Sequence, residues 1–347
     1  MACFADMDDL VDVIAVTGFL GSGKTTLIKA VLDADGAAGI AVMVSEFGDV
    51  GIDGALLSDS GQAAVELSNG CICCQVGGSL EQGLRDLLLA RMRGHVKPFG
   101  TLFIETSGMT DPVDMVAVMH SRPVREMRYR MLGTVTALDG QFGAGDVDER
   151  PEASAQLAAA DSVVITKCDL AATGRLDDFV DARNPGTPVV RSAMGRGADG
   201  VPVLKAIALG SDFTPATSAF RAVAAPERPR SGGHAGVRSL SIVLNGPIEW
   251  SAFVAAIAGL AASDTARLLR VKGILNVHGL DGALAVHGVH ETLYPPVQLR
   301  SRPFAKDESR IVFIYLAGDG ASFEDLARRA IEGAVVSRSR GEAQHAA

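Results

Sequence analysis

The sequence predicts an α/β fold in which a mostly parallel sheet is flanked by helices, followed by a small C-terminal α+β domain. Three observations predict it. Between residue 12 and about residue 209, apolar runs of strand length alternate with helical patterns. A glycine-rich segment at 18–25 lies between the first strand pattern and the first helical one. Near residue 210 the composition changes, and a second, shorter series of strands and helices begins.

The first strand is expected at 13–17, with others at 40–47, 101–105, 132–138, 162–166 and 188–191. These runs are apolar on both faces, as strands covered by helices on each side require. A helical pattern follows at 24–34, and Asp111-Pro112 reads as an N-cap with proline at the first helical position. Residues 10–210 are therefore assigned to one domain. The stretch 211–236 holds Pro215, Pro226, Pro229, Gly232 and Gly233 among Ser, Ala and Arg, and reads as a linker. The second domain, 237–337, begins with a strand at 237–244 and a helix at 248–262. Strands around 268–276, 283–287 and 310–316 and a helix at 321–335 complete it.

A chain of 347 residues has room for two such domains, at about 150 residues each. The balance of 32 Lys+Arg against 41 Asp+Glu gives a net charge of −9, with no general attraction to phosphate backbones or anionic lipid. No nucleic-acid or membrane partner is expected. The apolar run 252–262 is about half the ~20 residues that a membrane span needs. Asp6, Asp8, Asp9 and Asp12 are the opposite of a basic secretory leader, so a cytoplasmic protein is expected. Five cysteines, three of them crowded at 71–74, do not suit a disulfide framework in a reducing compartment.

Gly18-Phe19-Leu20-Gly21-Ser22-Gly23-Lys24-Thr25 fits G-x-x-x-x-G-K-[ST], the phosphate loop of P-loop NTPases, and lies between a strand and a helix as its mechanism demands. Its glycines let backbone N–H groups close around the β-phosphate, at a helix N-terminus that carries about half a positive charge. Lys24 would span the β- and γ-phosphates, and the Thr25 hydroxyl would hold Mg²⁺. Glu105, ending an apolar strand, is the second metal-site candidate, and Gly108 permits close backbone approach to a γ-phosphate. Glu46 or Asp49, at the end of the 40–47 strand, is expected to touch Mg²⁺ or orient water, or else to begin a solvated loop. In Thr166-Lys167-Cys168-Asp169, the Asp169 carboxylate can accept from N1–H and the 2-amino group of guanine together, which favours GTP over ATP.

Cys71-Ile72-Cys73-Cys74 follows Asn69-Gly70 and precedes Gly77-Gly78, so a flexible turn is expected to present three sulfurs side by side. Three thiolates suit Zn²⁺ or another thiophilic ion such as Co²⁺, and a site short of a fourth protein ligand can pass its metal on. Glu46, a histidine, water or a partner's group is left as the fourth ligand. Cys3 and Cys168 carry no expected role. His234, His278, His287 and His290 are read as surface or core histidines, with a secondary metal site at His287 and His290 as the alternative.

Gly18 to Thr26, Glu46-Phe47-Gly48, Gly51-Ile52-Asp53, Asn69 to Cys74, Glu105-Thr106-Ser107-Gly108 with Asp111-Pro112, and Arg270-x-Lys272-Gly273 together resemble the CobW-type metallochaperone GTPases, relatives of HypB and UreG. The resemblance implies a P-loop GTPase domain joined to a small CobW C-terminal domain. It also implies delivery of zinc or cobalt to a metal-dependent client protein, gated by GTP hydrolysis. Carried over position by position, Gly18, Gly21, Ser22, Gly23, Lys24, Thr25, Thr26 and Gly108 bind nucleotide, and Thr25 and Glu105 hold Mg²⁺. Thr166, Lys167 and Asp169 form the base site, and Cys71, Cys73 and Cys74 bind metal. The chain departs from the family in four places: Thr166 where Asn is usual, Ser45 where Asn is usual, Gly77 where Arg is common, and a linker with His234 as its one histidine.

No glutamine or arginine is evident for hydrolysis, which predicts slow intrinsic turnover, accelerated by the client or by homodimer formation. Within the family, cobalt delivery for cobalamin synthesis or nitrile hydratase activation is the alternative to zinc. Outside it, the alternatives are a passive zinc-binding protein and a P-loop kinase acting on a small molecule.

Overall fold

Val11–Thr17 carries five β-branched residues in seven, and 13–16 are completely buried, so this strand is covered on both faces. It stands at the centre of the first unit. The computed structural model describes residues 10–34, 39–45, 65–66, 72–76, 79–210, 213–224, 237–289, 292–299, 304, 307–317 and 323–336. Two compact units divide the described residues, one ending at Thr214 and the other beginning at Pro215.

The first unit runs β1 (Val11–Thr17), α1 (Lys24–Leu32), β2 (Ile40–Ser45), β3 (Val65–Glu66), β4 (Ile72–Val76), α2 (Leu80–Met92), β5 (Thr101–Thr106) and α3 (Pro112–His120). It continues with α4 (Arg122–Glu126), β6 (Tyr129–Asp139), α5 (Gly143–Glu149), α6 (Pro151–Ala158), β7 (Ser162–Thr166), α7 (Leu176–Arg183), β8 (Val189–Arg191) and α8 (Val203–Leu209). The sheet order is β3-β4-β2-β5-β1-β6-β7-β8. Every neighbouring pair is parallel except β3 with β4, which is antiparallel at the edge.

Alternate strand residues feed two cores, as the period of two requires. Ile14, Val16, Val42, Phe103 and Val164 pack with Leu27 and Val31 of α1 and Leu204 of α8. Val163 and Ile165, one position out of phase with Val164, pack with Val147, Leu157 and Val180 of α5, α6 and α7. The chain leaves β1 toward β2 on one side, while β6, β7 and β8 lie on the other. Where strand order reverses in this way, a crevice opens at the carboxyl ends of the strands.

The second unit contains α9 (Pro215–Ala224), β9 (Val237–Asn245), α10 (Trp250–Ala261), β10 (Ala266–Leu275), β11 (Ala283–Val289), β12 (Thr292–Leu293), β13 (Val297–Leu299), β14 (Glu308–Ala317) and α11 (Phe323–Glu332). Its sheet is antiparallel, in the order β12-β11-β10-β14-β9, with β13 paired to β11. Phe253 and Ile257 of α10 and Phe323 and Ile331 of α11 bury one face against Leu240, Val271 and Phe313. Ala219 and Val223 of α9 bury the other against Ile274, Ala285 and Val312. The segment read as a linker therefore contains a helix that belongs to the second unit's core. Arg270 and Lys272 are buried on β10, and a Cβ at Gly273 would lie 3.1 Å from the Arg310 carbonyl oxygen, a tight fit for any side chain. Among the described residues no helix is long and apolar enough to cross a membrane.

Candidate functional site

The chain turns from the end of β1 into α1 through residues 18–23, and glycine makes that turn possible. Gly18, Gly21 and Gly23 have φ of 140°, 71° and 93°, values that side chains disfavour. At Gly18 space excludes a side chain as well, because a Cβ would sit 2.4 Å from the Ala137 carbonyl oxygen of β6. Among the described residues no side chain caps α1, and no acid lies in its first turn, so the positive end of the helix dipole is not offset there. Lys24 is buried, and its Nζ donates to the Gly18 and Phe19 carbonyls at 2.8 and 3.0 Å, folding the cation over the loop it follows. Thr25 and Thr26 are exposed on the same turn of helix.

Parallel pairing of β1 with β5 sets Val16 opposite Glu105. One residue further on, Thr106 Oγ1 donates to Thr17 Oγ1 at 3.0 Å and locks the two strand ends together. Thr25 Oγ1 donates to Glu105 Oε1 at 2.7 Å, although the two residues are 80 positions apart. A hydroxyl and a largely buried carboxylate make a hard, all-oxygen donor pair, which suits Mg²⁺. Beyond β5, Gly108 lies against the phosphate loop: a Cβ there would be 2.7 Å from Leu20 Cδ2 and 2.8 Å from the Leu20 amide nitrogen.

At the end of β7, Thr166 Oγ1 donates to the Ser22 carbonyl at 2.7 Å, and its Cβ packs beneath Gly23. Threonine thus supplies a tie to the phosphate loop at the position where the family usually carries asparagine. Lys167 adopts φ 54°, and its Nζ pairs with the Asp139 carboxylate at the end of β6. Burial opposes charge on Asp139. The Lys167 ammonium and the amides of Gln141 and Phe142 outweigh that effect and hold its carboxyl below the usual carboxylate range. Gln141 Nε2 donates to the Leu170 carbonyl at 3.3 Å, joining the loops after β6 and β7, while Asp169 between them is exposed.

The metal candidates are placed differently from expectation. Cys73 and Cys74 are not on a turn: they belong to β4, where parallel pairing with β2 sets Cys73 opposite Val42 and Cys74 opposite Met43. The flanking glycines suggested a turn, but β-branched Ile72 and Val76 and a partner strand give this backbone its hydrogen bonds. Cys71, Glu46, Asp49 and His290 lie outside the described residues. His287 is buried on β11 with its ring edge-on to Tyr294, centroids 4.7 Å apart.

Asp139 and Gln156 belong to the neighbourhood and were not singled out in the sequence. Asp139 had a signal, since Leu138-Asp139-Gly140 ends a strand much as Glu105 does. Gln156, in α6, had none. It is completely buried, and its Nε2 donates to the Gly108 and Thr110 carbonyls at 3.0 and 3.1 Å.

A lysine folded over a glycine loop, with a hydroxyl and a carboxylate meeting on the next strand, is an arrangement that a purely metal-binding fold has no use for. It places the chain among the P-loop nucleotide-binding proteins. Comparison with known proteins is more specific: residues 12–191 match the CobW/HypB/UreG nucleotide-binding domain, and residues 237–333 match the cobalamin synthesis protein cobW C-terminal domain. The chain belongs to the CobW/HypB/UreG family. It is 30% identical over 307 residues to the zinc chaperone YjiA of Escherichia coli, covering 87% of this chain and 93% of that one. It is 29% identical over 307 residues to a zinc chaperone CobW from Sinorhizobium, covering 79% and 84% respectively. The crystal structure of Zn(II)-bound YjiA GTPase superposes with a TM-score of 0.70 at 26% identity, over 94% of this chain and 99% of that one.

Proposed function

We propose that this protein is a GTP-hydrolysing metallochaperone that carries Zn²⁺ on Cys71, Cys73 and Cys74, with β4 rearranging at Cys73-Cys74, neighbours that a regular strand turns to opposite faces, and passes it to a client protein, with hydrolysis gating the transfer in a reducing cytoplasm. The supporting observation is a single row of residues across the first sheet. Gln75 of β4 is opposite Val44 of β2, Val44 is opposite Glu105 of β5, and Glu105 is opposite Val16 of β1. Cys74 directly precedes that row, so its backbone lies two strands, or about 10 Å, from the backbone of Glu105. The names of the relatives favour zinc as cargo over cobalt.

In this reading Lys24 exchanges its two carbonyl partners for phosphate oxygens, and the glycine-loop amides close on the β-phosphate. Thr25 and Glu105 hold Mg²⁺, which when bound offsets charge on the phosphate oxygens. Asp169 reads guanine through N1–H and the 2-amino group, and Lys167, fixed by Asp139, borders the base. Gln156 has both amide protons committed to loop carbonyls, so it does not orient water, and turnover stays slow until a client or a second copy of the chain adds a group. Coupling through β2 works in both directions: if GTP changes zinc affinity, zinc must change GTP affinity by the same factor.

The test is GTP turnover by the purified chain with Zn²⁺ or Co²⁺ titrated in, alongside Cys73→Ala. A metal response present in the wild type and lost in the variant is the expected result. Turnover indifferent to metal in both would sink the coupling, and ATP preference would favour a kinase.

A further inference from the structure

Gln156 is a polar side chain with 0% exposure, reaching from α6 to a turn 48 residues earlier in the sequence. A carboxamide nitrogen has two protons, and both are used: one on the Gly108 carbonyl and one on the Thr110 carbonyl, at 3.0 and 3.1 Å. The same residue is anchored from behind, because Thr136 Oγ1 of β6 donates to the Gln156 carbonyl at 2.8 Å. The turn it holds is closed on itself by Thr110 N–H donating to the Ser107 carbonyl at 3.2 Å.

That turn directly follows Glu105 and is pressed against Leu20 of the phosphate loop through Gly108. Because C=O and N–H of one peptide unit point in opposite directions, pinning the Gly108 carbonyl toward α6 also fixes where the Met109 N–H points. Among the described residues the Met109 N–H has one contact, a long one of 3.5 Å to Ser107 Oγ, which leaves it a usable donor. We propose that Gln156 is a positioning residue: it holds turn 107–110 in the orientation that recognises a γ-phosphate, and thereby sets the preference for GTP over GDP and the rate of hydrolysis without touching nucleotide. The proposal rests on the GTP reading above.

Gln156→Met keeps the length of the side chain and removes both donors. The measurements are dissociation constants of the full chain for GDP and for a non-hydrolysable GTP analogue, with kcat and KM for GTP. Expected is a GDP affinity within about twofold of wild type, with analogue affinity and kcat each lowered roughly tenfold or more, the scale on which small misplacements of catalytic groups act. A merely structural role would weaken both nucleotides alike, and that result, or no change in either, overturns the proposal. Should Gln156→Met fail to fold, Thr136→Val loosens the anchor without altering the carboxamide. A smaller shift of the GTP-to-GDP ratio in the same direction is then expected, and an unchanged ratio overturns the role. Wild-type protein that binds neither nucleotide would instead bring down the GTP reading itself, and this role with it.

Discussion

Thr166 and Ser22 are 144 residues apart in the chain and are joined by one hydrogen bond, from the threonine hydroxyl to the serine carbonyl at 2.7 Å. Since a hydroxyl has one proton, Thr166 commits it inside the protein, and its expected effect on nucleotide binding runs through the loop it braces. Thr166→Val should remove about 1 kcal/mol of support, which weakens GTP and GDP binding about fivefold. Thr166→Ser keeps the proton and should bind as wild type does. Nucleotide titration of both variants decides the matter, and equal behaviour of the two would remove the hydrogen bond from the account.

Lys24→Ala removes the side-chain cation that folds over the phosphate loop, together with its bonds to the Gly18 and Phe19 carbonyls. GTP turnover should vanish while the thiol site still titrates zinc, and the fold should lose no more than about 1–3 kcal/mol. Turnover and zinc binding are measured on one preparation. A passive zinc carrier would instead activate its client equally well with alanine at this position.

Glu105→Gln preserves an acceptor for Thr25 Oγ1 at the same reach but cancels the carboxylate charge. The Mg²⁺ concentration for half-maximal turnover should rise at least about tenfold, the scale on which even supporting residues of metal sites act. Magnesium titration of wild type and variant reads this directly, with GDP binding in the absence of metal as the control.

His120, at the end of α3, is lowered from 6.5 to about 4, first by burial and then by the nearby Arg125 cation. A folded-state value below the unfolded one means that the unfolded chain takes up the proton first. Its contribution to stability is therefore complete above pH 6.5 and is lost progressively as pH falls toward 4. By pH 5 the loss is at most about 2 kcal/mol. Thermal melts at pH 7 and pH 5 should differ less for His120→Gln than for wild type.

The phosphate site was legible because its chemistry lives at fixed offsets: Gly18, Gly23, Lys24 and Thr25 have to be neighbours, and Glu105 had to end a strand. What the sequence hid is whatever depends on a distant partner. Gln156 looks like any helical glutamine until the turn at Gly108 and Thr110 is brought beside it. Cys73 and Cys74 looked like turn residues because glycines flank them, and pairing with Val42 and Met43 makes them strand. Pro215 was counted among the residues of a linker, whereas it opens α9, a position where proline's fixed φ is favourable. The apolar pair Ala219 and Val223, four residues apart, reads as a buried stripe only once Ile274, Ala285 and Val312 are opposite.

The seat of α9 decides where this protein can be cut. A fragment started at residue 237, where the recognisable C-terminal domain begins, would leave Ile274, Ala285 and Val312 bare to water and would precipitate or form clumps on expression. A fragment started just ahead of Pro215 keeps its own cover and is the piece to isolate.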